Sequence, residues 1–180
     1  VCNLRCPLCP TGNQTANRPK KMMSFECFTS IIDQVRDYAI EVILHNWGES
    51  FLHPRIFEMI RYAADANIGT TMSSHFNNIT DVMVDQIIDS GLEHLTASID
   101  GASQDVYEMY RARGSFDNAI SALRRLQSRK RERKSRTPIV EWQFIVMKHN
   151  EHQIQQAEEM ARKLGVDRFR LLSVGLPFEN

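Results

Sequence analysis

Three cysteines near the start of the chain have the residue type and spacing of a metal-ligand set. Cys2, Cys6 and Cys9 are separated by three and then two residues. Thiolates held so close together repel one another, so the spacing favours a metal between them. A structural zinc site needs a fourth Cys or His, and a simple iron–sulfur carrier needs four thiolates; neither set is complete nearby. Three ligands on a four-iron, four-sulfur cluster leave one iron open, which is typical of a reactive metal site.

This cysteine loop resembles the C-x3-C-x2-C motif of the radical S-adenosylmethionine (radical SAM) enzymes, although Leu8 stands where that family often has an aromatic residue. The resemblance implies that Cys2, Cys6 and Cys9 hold a [4Fe-4S] cluster whose open iron chelates the amino and carboxylate groups of SAM. It also implies an oxidoreductase-like enzyme, in which an electron from the cluster cleaves SAM and a 5′-deoxyadenosyl radical abstracts hydrogen from substrate. The alternative is a zinc- or cluster-stabilised binding module without turnover.

The length and composition of the chain limit the number of domains, the kinds of partner and the cellular location that can be expected. The 180 residues are 42% hydrophobic, which is enough for one domain with a sizeable core. Lys plus Arg and Asp plus Glu both number 22, so no overall charge favours nucleic acid or an anionic membrane. The sequence contains no apolar run as long as a membrane span, and its cysteines fit metal ligation in a reducing compartment. We therefore expect a cytoplasmic protein.

Alternating strand-like and helix-like segments must position the cysteine loop, a pattern typical of parallel β/α units. Strands are predicted over residues 41–47, 70–74, 94–100, 139–147 and 168–174. Helix caps are predicted at Ser24, Thr80, Ser115 and Asn150. The fold class is therefore α/β, a partial (β/α)6 TIM-like barrel of parallel strands. Because the family has a strand before its cluster loop, we expect residues 1–180 to be one core domain that lacks its first strand and any C-terminal auxiliary-cluster domain.

Polar residues follow the predicted strands at their carboxyl ends, where β/α barrels build their active sites. The segment Trp47-Gly48-Glu49 resembles the family's Gly-Gly-Glu, which grips the SAM amino group through backbone carbonyl and carboxylate oxygens. Ser74 closes the next strand. The resemblance therefore predicts that Glu49 binds the ammonium of SAM.

Two further segments resemble parts of the SAM site. Ser98 and Asp100 match the strand-end pair that contacts the ribose hydroxyls, although Asp100-Gly101 is also an ordinary turn sequence. Arg111 resembles the arginine that pairs with the SAM carboxylate, and Arg113 is the rival assignment. Val146 resembles a residue that packs against adenine, with a place in the barrel core as the alternative.

Several segments resemble most closely the branch of the family that carries SPASM or twitch domains with additional clusters. These segments are residues 46–54, 98–103 and 146–150. The resemblance implies a peptide or small-molecule substrate and a reductant such as flavodoxin or ferredoxin. Nucleic acid is an unlikely partner, because the basic run over residues 129–134 has no aromatic residues to stack on bases, which favours a solvated helix end or loop. His45, His53 and His75 lie near strand ends and are expected to be hydrogen-bonded fillers, with His75 worth a test.

Overall fold

The computed structural model describes residues 1–17, 19 and 21–175 and contains an α/β fold with alternating elements. Within these residues, five strands follow one another along the chain: β1 Glu41–Ile43, β2 Gly69–Ser74, β3 His94–Ser98, β4 Ile139–Val146 and β5 Arg168–Ser173. Six α-helices separate or precede them: α1 Phe25–Val35, α2 Ile56–Asp65, α3 Asp81–Asp89, α4 Gln104–Tyr110, α5 Phe116–Glu132 and α6 Ile154–Leu164. Short 3-10 helices cover Ser50–Leu52 and Glu151–Gln153.

The strands form one parallel sheet in the order β1-β2-β3-β4-β5. Neighbours in the sheet are neighbours in the chain, and Leu95 of β3, for example, lies opposite Val140 of β4. All five carboxyl ends therefore meet at one edge of the sheet, as the predicted partial barrel requires. Among the described residues, no strand pairs with the outer edge of β1 or of β5.

One face of the sheet carries the hydrophobic core. Along β4 every second residue is buried, and Trp142 and Phe144 are fully enclosed together with Met72 of β2 and Leu95 of β3. These side chains pack in one cluster with residues of the helices. The alternation arises because successive side chains of a strand point to opposite faces. The core therefore lies between sheet and helices, and the other face of the sheet carries polar residues such as Thr71 of β2.

Helix caps form largely as the sequence predicts. The side chains of Ser24, Thr80 and Ser115 each accept a hydrogen bond from a backbone N–H in the first turn of α1, α3 and α5. Asn150 was predicted to cap a helix. It is the N-cap residue of the 3-10 helix Glu151–Gln153 that leads into α6, but its side chain makes no capping hydrogen bond. Its Oδ1 accepts from the N–H of Met147 at 2.7 Å, and its Nδ2 donates to the carbonyl of Ile145 at 2.9 Å. Asn150 therefore closes the turn after β4.

The basic run forms the end of a helix, one of the two structures predicted for it, but one of its residues is not solvated. Helix α5 continues through it to Glu132, and Lys130 is buried. Its Nζ donates to the carbonyl of Pro138 at 2.5 Å and to the Asp167 carboxylate at 2.7 Å. Lys130 thus joins α5 to the segments before β4 and β5, because a buried ammonium needs both a counter-charge and acceptors. The prediction of a solvated run is wrong for this residue.

Candidate active site

The cysteine loop is fastened at its middle. Leu4 and Cys6 are buried, and the N–H of Arg5 donates to the carbonyl of Ala112 at 2.9 Å, just beyond α4. The loop then turns on itself, because the N–H of Cys9 donates to the carbonyl of Cys6 at 3.2 Å. Cys2 and Cys9 remain half-buried. The three thiols therefore lie on a loop that contacts the end of α4.

The electrostatics of the thiols fit a positively charged metal cluster. Burial raises the pKa of Cys2 and of Cys6, and the negative charges of the neighbouring thiolates raise both further. Binding to a cationic centre offsets these costs. Among the described residues, no three His, Cys, Asp or Glu side chains are placed to hold a single metal ion. A four-iron cluster does not need convergence on one point, since each thiolate binds a different iron, and the all-sulfur donor set suits iron–sulfur chemistry.

Trp47, Gly48 and Glu49 lie beyond the end of β1, beside the start of the cysteine loop. The N–H of Glu49 donates to the carbonyl of Val1 at 2.9 Å, and the hydroxyl of Thr11 donates to the carbonyl of Trp47 at 3.1 Å. A Cβ at Gly48 would stand 3.0 Å from the Val1 carbonyl oxygen, so the close approach favours glycine. The Trp47 side chain is about half exposed. The predicted segment therefore lies against the loop that carries the cysteines.

The Glu49 carboxylate is almost wholly enclosed. Its Oε1 accepts from the N–H of Phe51 at 3.2 Å, and its Oε2 accepts from the N–H of His75 at 3.0 Å. Burial raises the pKa of Glu49 to about 7, although these two N–H donors act in the opposite direction. The Ser74 side chain also hydrogen-bonds to Glu49, so protein donors occupy most of the roughly four acceptor positions of this carboxylate.

His75 follows β2 and contacts two parts of the site. Its Nε2 lies 2.9 Å from Oδ1 of Asn3 in the cysteine loop and 3.1 Å from Oε2 of Glu49. Burial, together with the positive charge of Arg111, lowers the pKa of His75 to about 4. The ring is therefore neutral at pH 7, so its 3.1 Å contact with the Glu49 carboxyl group is not an ion pair. The expectation that His75 is hydrogen-bonded is met.

The predicted serines lie at the carboxyl ends of β2 and β3, and both bond to neighbouring protein groups. Ser74 is buried, and its Oγ accepts from the N–H of Phe76 at 3.0 Å. Ser98 Oγ lies 2.8 Å from Oγ of Ser73 on the adjacent strand. The two side chains thus shape the strand ends, and their contacts with SAM remain predictions.

Asp100 is fully buried just beyond β3 and holds two other segments. Its Oδ2 accepts from Nε of Arg111 at 2.6 Å, and its Oδ1 accepts from the N–H of Ile145 near the end of β4 at 2.7 Å. One carboxylate therefore links β3, β4 and the end of α4. The predicted contact between Asp100 and ribose stays a prediction, while its bond to Arg111 is a role that sequence spacing did not reveal.

Arg111 is the arginine that the fold brings to the cysteine loop. Burial opposes its charge most strongly, but the negative charges around it, of which Asp100 is the largest, together raise the pKa of Arg111 above its ordinary value. The positive charge of Arg111 in turn lowers the pKa of the Cys6 thiol, against the effect of burial. Arg113 is exposed and has a left-handed backbone, with φ at 70°. The geometry therefore favours Arg111 over Arg113 as the arginine that lies near the cysteine loop.

Val146 and an apolar cavity lie at the margins of the site. Val146 ends β4, partly buried against the main core, so its predicted contact with adenine remains a prediction. A cavity of about 560 Å³ lies between α1 and the outer edge of β1. Its walls include Ile31, Ile43, Trp47 and Glu49 but none of the three loop cysteines. The cysteine loop is therefore assigned as the site from its side chains and not from this cavity.

One network at the site was not predicted from the sequence. Asn77 donates through Nδ2 to the Tyr107 hydroxyl at 2.7 Å, and its Oδ1 accepts from the N–H of Ser115 at 2.5 Å. It thereby joins the turn after β2 to α4 and to the start of α5. The sequence offers one signal for this role, since Asn77 and Asn78 form a turn-prone pair directly after a strand.

Known proteins resemble this chain in sequence. Residues 1–146 match the family model described as Radical SAM superfamily. AdoMet-dependent heme synthase of Methanosarcina barkeri is 27% identical over 165 residues, which are 91% of this chain and 45% of that protein. Mycofactocin maturase MftC of Mycolicibacterium smegmatis is 27% identical over 128 residues, which are 71% of this chain and 32% of that protein. The chain thus spans about a third to a half of the length of these relatives.

Solved structures resemble the fold. Streptococcus suis SuiB bound to S-adenosylmethionine aligns with a TM-score of 0.77 at 16% identity, over 97% of this chain and 39% of SuiB. The structure of anSMEcpe with bound AdoMet aligns with a TM-score of 0.78 at 14% identity, over 98% of this chain and 50% of that one. These similarities confirm the predicted architecture. Within the described part of the chain, no helix combines the length and apolar character needed to cross a bilayer.

Proposed function

Because the chain belongs to the radical SAM superfamily, in the SPASM- or twitch-type branch that its sequence resembles, we propose that it is the catalytic core of an enzyme that cleaves SAM reductively. The observation that supports this most directly is the meeting of the cysteine loop with Glu49 and Arg111 at the carboxyl end of the sheet. Cys2, Cys6 and Cys9 would hold the [4Fe-4S] cluster.

The chemistry would be divided between the cofactors and the protein. When bound, the cluster supplies an electron that cleaves SAM and releases a 5′-deoxyadenosyl radical, which abstracts hydrogen from substrate. The protein binds and orients SAM. Arg111 would pair with the SAM carboxylate, since its planar guanidinium suits a two-pronged contact, and Asp100 holds that guanidinium in place through Nε. Glu49 would accept from the SAM ammonium.

Binding of SAM would change the protonation of Glu49. With a pKa of about 7, the carboxyl group is about half protonated at neutral pH. An ammonium placed against it favours the ionised form, so SAM binding near pH 7 would release a proton from this carboxyl group. Affinity for SAM should accordingly weaken as the pH falls below about 7.

The remaining predicted residues would complete the SAM pocket. Trp47 and Gly48 would offer backbone carbonyls to the ammonium, Ser74 and Ser98 would line the strand ends near the ribose, and Val146 would contact adenine. Trp47 and Gly48 lie beyond β1, and Ser74, Ser98 and Val146 are the last residues of β2, β3 and β4. These positions support the assignment, because ligands of barrel folds bind at that end of the strands.

The substrate would be a peptide or a small molecule. MftC carries the name of a maturase, and a structure of SuiB contains the precursor peptide SuiA, which supports a peptide. We further propose that residues 1–180 are the core domain of a longer protein whose auxiliary domain completes the substrate site. A cytoplasmic location and a flavodoxin or ferredoxin reductant belong to the same proposal.

The second candidate is a binding module that uses zinc or a cluster for stability and does not turn over. Anaerobic reconstitution followed by iron and sulfide analysis and Mössbauer spectroscopy distinguishes the two. We expect about four irons and four sulfides per chain, an electron paramagnetic resonance spectrum that changes when SAM is added, and release of 5′-deoxyadenosine under reduction. Stoichiometric zinc without a cluster would refute the radical SAM function.

A further inference from the structure

His75 has two acceptors in front of one ring nitrogen. Its Nδ1 accepts from the N–H of Asn77 at 3.0 Å, so these partners assign the ring proton to Nε2. That N–H faces Oδ1 of Asn3 at 2.9 Å and Oε2 of Glu49 at 3.1 Å. The side chain is 4% exposed. The imidazole therefore spans the space between the cysteine loop and the Glu49 carboxyl group.

The backbone around His75 is held in an unfavourable conformation. Phe76 has φ at 61°, in the left-handed region that a bulky residue rarely adopts, and it is fully buried. Ser74 Oγ accepts from the backbone N–H of Phe76, and the side-chain Nδ2 of Asn77 donates to the His75 carbonyl at 2.8 Å. Such strain persists only where the surroundings determine the conformation, and it is often found at functional sites. The turn therefore fixes the direction of the imidazole before any ligand binds.

The same residue also holds Glu49 through its backbone. The N–H of His75 donates to Oε2 of Glu49 at 3.0 Å, so backbone and ring act on one carboxylate oxygen. Asn3 lies between Cys2 and the buried Leu4. Any displacement of His75 therefore acts on the start of the cysteine loop and on the Glu49 carboxylate together.

We propose that His75 is a positioning residue that couples the cysteine loop, through Asn3, to the Glu49 carboxylate. The coupling to the loop follows from the contacts of the chain alone. Its consequence for SAM affinity rests on the proposed function, in which Glu49 binds the SAM ammonium. His75 acts through these two residues and needs no contact with SAM or with the cluster.

The loop half of the inference is tested on the protein without cluster, by the rate at which iodoacetamide alkylates each cysteine under reducing conditions. His75→Leu should raise the rate at Cys2 about 3- to 10-fold, the range expected for loss of one hydrogen bond from a local opening. Exposed Cys27 serves as an internal reference whose rate does not change. His75→Gln, which keeps a donor toward Asn3, should stay within about twofold of the parent rate.

Two further variants serve as a second perturbation of the same bond and as a negative control. Asn3→Ala removes the same bond from an exposed side chain, so it should reproduce the effect even if His75→Leu does not fold. His152→Leu changes an exposed histidine elsewhere and should leave every rate unchanged. Rates at Cys2 that match the parent protein in both His75→Leu and Asn3→Ala overturn the inference.

The SAM half is tested on the reconstituted protein by equilibrium dialysis with labelled SAM. His75→Leu should retain the iron content of the parent and bind SAM about 10-fold more weakly, whereas His75→Gln should restore most of the affinity. If the parent protein binds no SAM, the proposed function fails, and the alkylation rates alone decide the coupling. If His75→Leu loosens the loop and binds SAM like the parent, the link to Glu49 is wrong.

Discussion

Replacing Asp100 by Asn should cost the protein about 3 kcal/mol of stability. Asp100 is fully buried, and the Arg111 side chain that it pairs with is 13% exposed. Removing one partner of a buried ion pair costs about 3 to 5 kcal/mol, because the remaining charge is left uncompensated. We take the lower end because part of the Arg111 side chain reaches solvent. The side-chain oxygen of an asparagine can still accept from the N–H of Ile145. The change therefore removes the negative charge that pairs with Arg111.

Equilibrium unfolding in urea measures this loss. Trp142 is buried and donates through its indole N–H to the carbonyl of Ile99 at 2.8 Å, so its fluorescence reports on the region of Asp100. With a urea dependence of about 2 kcal/mol per molar, a loss of about 3 kcal/mol lowers the midpoint by about 1.5 M. Domains of this size are typically stable by about 5 to 15 kcal/mol, so the variant should fold and remain measurable.

A double-mutant cycle separates the ion pair from other effects of the change. Arg111→Gln should also destabilise, and the Asp100→Asn, Arg111→Gln double variant should lose at least about 1 kcal/mol less than the sum of the single variants. Arg113→Gln is the matched control at an exposed arginine and should change stability by less than about 0.5 kcal/mol. A midpoint shift below about 0.5 M for Asp100→Asn, or additive effects in the cycle, would refute the role assigned to this pair.

Three further predictions concern two buried titratable side chains, His75 and Lys130, and the outer edge of β1. Because the pKa of His75 is lowered to about 4 from an ordinary value of 6.5, the unfolded chain binds a proton that the folded chain does not, and stability is lost as the pH falls through that window. His75→Gln removes this term, so its unfolding free energy should gain about 2 kcal/mol on the parent protein between pH 7 and pH 5 in urea titrations. Lys130→Ala should lower the unfolding free energy by about 2 kcal/mol. This loss is smaller than the loss expected for a fully buried ion pair, because the Asp167 side chain is 41% exposed. Lys134→Ala is the control at an exposed position and should change the unfolding free energy by less than about 0.5 kcal/mol. Within the described residues no strand pairs with the outer edge of β1, where Ile43 is 61% exposed. Because such an edge promotes association, Ile43→Lys should shift size-exclusion profiles toward the monomer, and an unchanged profile would contradict this role of the edge.

The sequence predicted those features that local patterns determine. Ser24, Thr80 and Ser115 cap helices because a hydroxyl before an amphipathic segment reaches the free N–H groups of the first turn. The strands were located by their apolar residues, and their order follows from β/α alternation. Boundaries were less accurate: the strand predicted over residues 41–47 ends at Ile43, because the chain turns toward the cysteine loop beyond that point.

Contacts between distant residues could not be predicted from patterns. Asp100 bonds to the backbone of Ile145, 45 positions later, and His75 contacts Asn3, 72 positions earlier. Nothing in the local sequence distinguishes Asp100 as a buried anchor from Asp100 as a turn residue before Gly101. Lys130 was misjudged for the same reason, because its counter-charge Asp167 belongs to a later β/α unit.

Two of the contacts that hold the cysteine loop come from different parts of the fold, and this determines how the site can fail. One is the bond from the N–H of Arg5 to the carbonyl of Ala112, next to the arginine that Asp100 orients. The other is the contact of Asn3 with the imidazole of His75. A ligand site with its protein groups already in place avoids part of the ordering cost of binding. Loss of either attachment should therefore weaken SAM binding through the position of the loop, while the three cysteines remain available as ligands.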